Sequence, residues 1–72
     1  MTWEKQPDRE LAVGGFIEQW LRTDSTNGYV TKVPSKDYCA RWAVGSGKDM
    51  VMREEYLPTL EQAQSLIERE AT

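Results

Sequence analysis

A chain of 72 residues can enclose only one hydrophobic core, and this limit constrains the fold more than any other feature of the sequence. Apolar residues make up 39% of the chain and charged residues 29%, a balance typical of globular domains and not of disordered tails. We therefore expect a single domain over residues 8–72, preceded by a flexible lead-in over residues 1–7.

The segment after this lead-in fits a helix better than a strand. Asp8 is a suitable N-cap, and the apolar residues that follow it recur at the spacing of one helix face. These residues are Val13, Phe16, Ile17, Trp20 and Leu21. Gly14 and Gly15 weigh against a helix, because each costs about 1 kcal/mol relative to alanine inside one. A strand over residues 9–22 is the alternative, and it would give a four-stranded sheet with one helix.

Three later segments, residues 29–33, 38–44 and 50–56, are rich in aromatic and β-branched residues and are separated by turn residues, which predicts three strands. Because side chains alternate along a strand, one choice of faces puts most apolar residues inside. That inner set is Tyr29, Val33, Tyr38, Ala40, Trp42, Val44, Met50 and Met52. Lys32, Arg41 and Arg53 then share the outer face.

The clearest helix signal lies near the end of the chain. Thr59 and Gln62 form a capping box, and Leu60, Ala63, Leu66 and Ile67 follow at helical spacing. This predicts a helix over residues 60–70. The expected fold is therefore α+β: a small three-stranded antiparallel sheet packed by a C-terminal helix, with an N-terminal helix, in the order α-β-β-β-α.

The chain contains no histidine, which removes the usual proton-transfer residue and the commonest zinc ligand. A Cys-His pair and a Ser-His-Asp triad are both excluded, so we predict no enzymatic activity, no metal and no cofactor. Cys39 is the only cysteine and cannot form an internal disulfide, which favours a reducing compartment. With no apolar stretch long enough to cross a bilayer, we expect a cytoplasmic protein with no membrane partner.

The strand pattern from Tyr38 to Val44, the turn, the next strand and the Leu57-Pro58-Thr59-Leu60 helix start resemble AP2 and integrase arm-type DNA-binding modules. The resemblance covers residues 38–71. It implies a three-stranded sheet packed by one helix, with the exposed sheet face entering the major groove. Lys32, Arg41 and Arg53 would then contact DNA.

Two hypotheses about function follow from the sequence. The first is a protein-binding module, which would be an accessory or inhibitory protein of a bacterium or phage. Inhibition of a host defence complex is one form that this hypothesis takes. Its candidate contacts are Trp3, Tyr56, Glu61, Glu68 and Glu70. The alternative is duplex DNA binding through the basic sheet face.

Charge is unevenly distributed along the chain, which carries a net charge of −3. Residues 24–53 hold five Lys or Arg and three Asp or Glu, whereas residues 54–72 hold one and five. A protein that is acidic as a whole gains no general attraction to phosphate, so DNA binding would depend on the sheet face alone. The small core and an exposed strand edge also predict a homodimer.

Overall fold

The computed structural model describes residues 3–71, in which a six-stranded antiparallel sheet carries one α-helix on one face. The strands are β1 (Trp3–Lys5), β2 (Arg9–Glu10), β3 (Phe16–Arg22), β4 (Tyr29–Lys32), β5 (Tyr38–Val44) and β6 (Val51–Leu57), and the helix is α1 (Leu60–Glu70). Their order across the sheet is β1-β3-β4-β5-β6, and β2 pairs with the start of β3. A single 3-10 turn, Gly47–Asp49, lies between β5 and β6.

The core lies between α1 and the face of the sheet that α1 covers, which we call the helix face. Val30 and Ala40, neighbours on β4 and β5, are fully buried there beneath Ile67 of the helix. Three tryptophans, Trp3, Trp20 and Trp42, supply most of the remaining apolar volume. Large aromatic side chains let so short a chain bury enough apolar surface to fold.

The predicted N-terminal helix is absent, and this part of the fold prediction is wrong. Gly14 and Gly15 have φ angles of 95° and 85°, in the left-handed region, and so form a turn that joins β2 to β3. The N–H of Leu11 donates to the carbonyl of Gly15 at 2.9 Å and closes this turn. The strand alternative for residues 9–22 describes this segment better.

The predicted three-stranded sheet is also wrong, because β1, β2 and β3 extend it to six strands. Trp3–Lys5, part of the expected lead-in, forms the edge strand β1, while the first two residues lie outside the described range. The three predicted strands are present as β4, β5 and β6. The C-terminal helix is confirmed, and the Thr59 Oγ1 accepts a 3.2 Å hydrogen bond from the backbone N–H of Gln62.

None of the helical segments in residues 3–71 has the length and apolar composition of a transmembrane span.

Candidate functional site

The face of the sheet opposite α1 has no helix over it within the described residues, and we call it the open face. Its central residues follow from the strand register: Tyr29 of β4 lies beside Arg41 of β5, and Cys39 of β5 lies beside Tyr56 of β6. The face forms a shallow concavity of about 420 Å³. It is lined by Arg9, Ile17, Gln19, Tyr29, Thr31, Val33, Lys36, Asp37, Cys39, Arg41, Glu54 and Tyr56.

A polar chain crosses the open face from β4 to β6. Nη1 of Arg41 donates a 3.3 Å hydrogen bond to the hydroxyl of Tyr29, and Nε of Arg41 lies 3.0 Å from Oε2 of Glu54. The hydroxyl of Tyr29 and then the carboxylate of Glu54 raise the pKa of Arg41 above its ordinary value. Arg41 therefore already has partners within the fold, and its charge is not available in full to a ligand.

Cys39 lies on the floor of the concavity and is only 9% exposed. Burial, followed by the nearby carboxylate of Glu54, raises the pKa of its thiol. The charge of an ionised Cys39 would in turn raise the pKa of Tyr56. Both groups therefore stay protonated at neutral pH, and a protonated thiol is a poor nucleophile.

The rim of the concavity carries cations that lack a carboxylate partner. Within the described part of the chain, neither Arg9 nor Lys36 forms an ion pair, although Nζ of Lys36 lies 5.8 Å from the centre of the Tyr56 ring. Two acidic residues, Asp37 and Glu54, line the concavity, and Glu54 is paired with Arg41, so within the described residues Asp37 alone of the two forms no ion pair. The rim can therefore accept one or two carboxylates from a ligand.

The apolar part of the open face is the feature that a ligand would cover. Ile17, Val33 and Cys39 line the floor, and Tyr56, 45% exposed, stands at its β6 side. Among residues 3–71, no group of three or more Cys, Asp or Glu side chains is placed to hold a metal ion. The arrangement is suited to binding an apolar side chain that lies next to an acidic one.

The structure places the predicted protein-contact residues on three different surfaces. Tyr56 lies on the open face, whereas Glu61 and Glu70 are exposed on α1. Trp3 is 9% exposed, and its Nε1 donates a 2.8 Å hydrogen bond to Glu68. Tyr56 is therefore the member of this set that the structure brings into the concavity.

The three cations predicted to share one face do not do so. Arg41 lies on the open face. Lys32 lies two positions after Val30 on β4 and therefore faces the same side as Val30, and Arg53 lies across from the buried Trp42 in the neighbouring strand. Lys32 and Arg53 are therefore on the helix face. Nζ of Lys32 donates to the carbonyl of Val33 at 2.7 Å and lies 5.8 Å from the Tyr38 ring centre.

Sequence reasoning missed Arg9, Ile17 and Lys36 as members of the site. Lys36 lies in the loop before β5, and Arg9 and Ile17 pair across the β2–β3 hairpin. The signal available in the sequence was side-chain alternation. A strand over residues 9–22 places Ile17 and Trp20 on opposite faces of the sheet, with Ile17 on the face away from the core.

Compared with known protein families, with characterised proteins and with solved structures, the chain matches none of them.

Proposed function

We propose that this chain is a non-enzymatic protein-binding module that binds a segment of its partner on the open face. The observation that carries the proposal is the uncovered apolar floor of the concavity, formed by Ile17, Val33 and Cys39, with the exposed ring of Tyr56 at its β6 side. Exposed apolar surface that is rimmed by charge is a common property of protein-interaction sites. An accessory or inhibitory role in the cytoplasm of a bacterium or phage-infected cell is part of this proposal, and the free thiol of Cys39 is compatible with that location.

The charges on the rim define the partner's chemistry. Arg9 and Lys36 have no carboxylate partner within the described residues, so we expect an acidic side chain in the bound segment. A neighbouring aromatic or aliphatic side chain of the partner would lie over Cys39, between Tyr29 and Tyr56. Aromatic residues at the centre of an interface commonly supply much of its affinity.

The alternative function, duplex DNA binding, has less support from this arrangement. It depended on Lys32, Arg41 and Arg53 acting from one surface, and they lie on opposite faces. Arg41 is also paired with Glu54 at 3.0 Å. We therefore keep DNA binding as an outcome of the experiment.

The proposal is tested by affinity capture from a lysate of the source organism, with and without nuclease. Three baits are compared: the wild type, the Arg9→Glu/Lys36→Glu variant, and a control of equal charge change, Lys48→Glu/Arg69→Glu. Lys48 and Arg69 are exposed and lie away from the open face. We expect one protein to be retained after nuclease treatment by the wild type and the control, and lost by the rim variant.

Two results would contradict the proposal. Equal recovery by all three baits would place binding elsewhere, and recovery that disappears with nuclease would favour nucleic acid. Alkylation of Cys39 gives a second measurement, because a partner over the floor should slow the reaction of its thiol. Unchanged alkylation in the complex would show that the partner does not cover the open face.

A further inference from the structure

We infer that β6 is a self-complementary edge through which two copies of the chain join their sheets. Each β6 would pair antiparallel with β6 of a second copy, about a two-fold axis at Glu54. This inference concerns the edge of the sheet and does not depend on the proposed partner of the open face.

The edge is long and exposed. Within the described residues β6 pairs with β5 alone, so one side of its seven-residue backbone carries N–H and C=O groups that no other strand bonds. Such an edge is a template for another strand. The helix leaves most of it open: Val51 is 52% exposed, and Arg53 and Glu55 on the same face are also exposed, whereas Leu57 at the end of the strand packs partly against the core.

The charges of β6 fit a second copy of the same strand. In the register centred on Glu54, Arg53 of each copy lies opposite Glu55 of the other, on the same face of the joined sheet. In the single chain neither Arg53 nor Glu55 forms an ion pair within the described residues. Pairing two copies would therefore form two equivalent Arg53–Glu55 pairs, one on each side of the axis. Opposite charges directly across a strand pair are stabilising.

The apolar residues of β6 match in the same register. On the open face, Met52 lies opposite Tyr56 of the second copy, and these side chains are 55% and 45% exposed in the single chain. On the helix face, Val51 lies opposite Leu57. A thioether beside an aromatic ring is a favourable contact, and the two-fold axis makes each of these pairs occur twice.

The axis itself brings the two Glu54 carboxylates together. Each of them is already held by Arg41 of its own copy, with Nε 3.0 Å from Oε2, which offsets their repulsion. The registers that differ by one residue at the centre are worse, because they place Arg53 opposite Arg53 or Glu55 opposite Glu55. The register at Glu54 also pairs the whole strand, Val51–Leu57, with the whole strand.

Charged residues on an edge strand often serve to prevent pairing. That role favours like charges, which repel in every register. The order here alternates on one face between a cation and an anion, which repels some partners and attracts its own copy. Specificity for a second copy is therefore the better explanation of this pattern.

Sedimentation equilibrium of the full chain tests the inference at physiological ionic strength, because each copy carries a net charge of −3. The interface is confined to one strand from each copy, so we expect a dimer that dissociates on dilution. Arg53→Glu alone and Glu55→Arg alone should each weaken the dimer about ten-fold, because each replaces two attractive pairs with two repulsive ones.

Mixing the two variants gives the decisive result. A chain with Glu at position 53 and a chain with Arg at position 55 complement each other in this register, so the mixture should form a heterodimer of wild-type strength. The controls Lys48→Glu and Glu10→Arg make the same charge changes outside the paired strand, since Lys48 lies in the 3-10 turn and Glu10 on β2, and they should dimerise as the wild type does. A monomeric wild type at the highest soluble concentration, or a mixture that stays monomeric while the circular dichroism of each variant is native, would overturn the inference.

Discussion

Nε1 of Trp3 donates a 2.8 Å hydrogen bond to Oε2 of Glu68, which ties the first strand of the sheet to the last helix across 65 positions of the sequence. Both residues had been candidate contacts for a partner, and in the structure they contact each other. Because the indole is nearly buried and the acceptor is charged, this bond should stabilise the fold more than an exposed ion pair does.

We predict that Trp3→Phe lowers the free energy of unfolding more than Trp42→Phe does, by about 1.5 kcal/mol. Both substitutions remove similar apolar volume from the core. Nε1 of Trp42, however, is buried without a hydrogen-bond partner among the described residues, so its loss breaks no bond within the protein. Urea unfolding followed by circular dichroism measures both changes, and equal losses would show that the Trp3–Glu68 bond contributes little.

The limits of sequence reasoning are clearest in β3. Val13, Phe16, Ile17, Trp20 and Leu21 have helical spacing, yet they belong to a turn and a strand. Trp20 faces the helix, whereas Ile17 faces the open side and Val13 is 93% exposed. A strand with apolar residues on both faces loses its alternation and imitates a helix. The adjacent glycines were the stronger local signal, because Gly14 and Gly15 adopt left-handed φ angles that end any helix at this point.

The candidate site was harder to predict than the fold because it depends on which way each strand faces. In β4, the inner position belongs to Val30 and not to Tyr29, and a shift of one residue moves every side chain to the other face. The same shift in β6 placed Arg53 wrongly. The facing of β5 was predicted correctly. Arg41 is the one charged residue of this strand, so it must lie on the exposed face, and alternation then places Ala40 and Trp42 on the buried face.

Asn27 completes the sheet where β4 is too short to do so. The β4–β5 pairing begins at Tyr29 and Arg41, and beyond it the side chain of Asn27 takes the place of a strand. Its Oδ1 accepts from the N–H of Ala43 at 2.8 Å, and its Nδ2 donates to the carbonyl of Ala43 at 2.9 Å. A side-chain amide thus satisfies both backbone groups of one β5 residue.

We predict that Asn27→Ala lowers the free energy of unfolding by about 2 kcal/mol, because two backbone groups of Ala43 lose their partners. Thr26→Ala is the matched control, since Thr26 is exposed and adjacent, and it should change stability by about 0.5 kcal/mol or less. Hydrogen exchange of the Ala43 amide provides a local measurement. Protection of that amide that survives in Asn27→Ala would contradict this role.

Gly28 is required by both its backbone and its neighbours. Its φ is 107°, and an added Cβ would overlap Cγ2 of Ile67, which is fully buried in the core. Gly14 has a similar φ of 95°, but nothing lies within 4 Å of its added Cβ. The two glycines therefore separate the cost of the left-handed backbone from the cost of the steric overlap.

We predict that Gly14→Ala costs about 1 to 2 kcal/mol from backbone strain alone, and that Gly28→Ala costs about 1 to 3 kcal/mol more because Ile67 must move. Thermal and urea unfolding of the two variants give the comparison. If Gly28→Ala is no more destabilising than Gly14→Ala, Ile67 is free to move and the packing at this point is loose.

Asp24 makes part of the stability dependent on pH. Nε and Nη2 of Arg22 donate to its two carboxylate oxygens at 3.1 and 3.3 Å, and these bonds hold the pKa of Asp24 below its ordinary value. Nη1 of Arg22 also donates to the carbonyl of Ala71 at 3.0 Å and so links the end of β3 to the end of α1. The ion pair with Asp24 holds the Arg22 side chain in place for this contact.

A carboxylate whose pKa is lowered by folding stabilises the folded state above its unfolded pKa, about 3.9, and this contribution disappears as the pH falls through the lower folded value. We therefore expect the wild type to be more stable than Asp24→Asn at pH 7. The difference should shrink below about pH 4 and vanish once Asp24 is protonated in both the folded and the unfolded state. Urea midpoints of the two proteins across this range measure the difference. A difference that stays constant with pH would mean that the asparagine variant is destabilised by lost geometry and not by lost charge, and that the ion pair with Arg22 is not what lowers the pKa of Asp24.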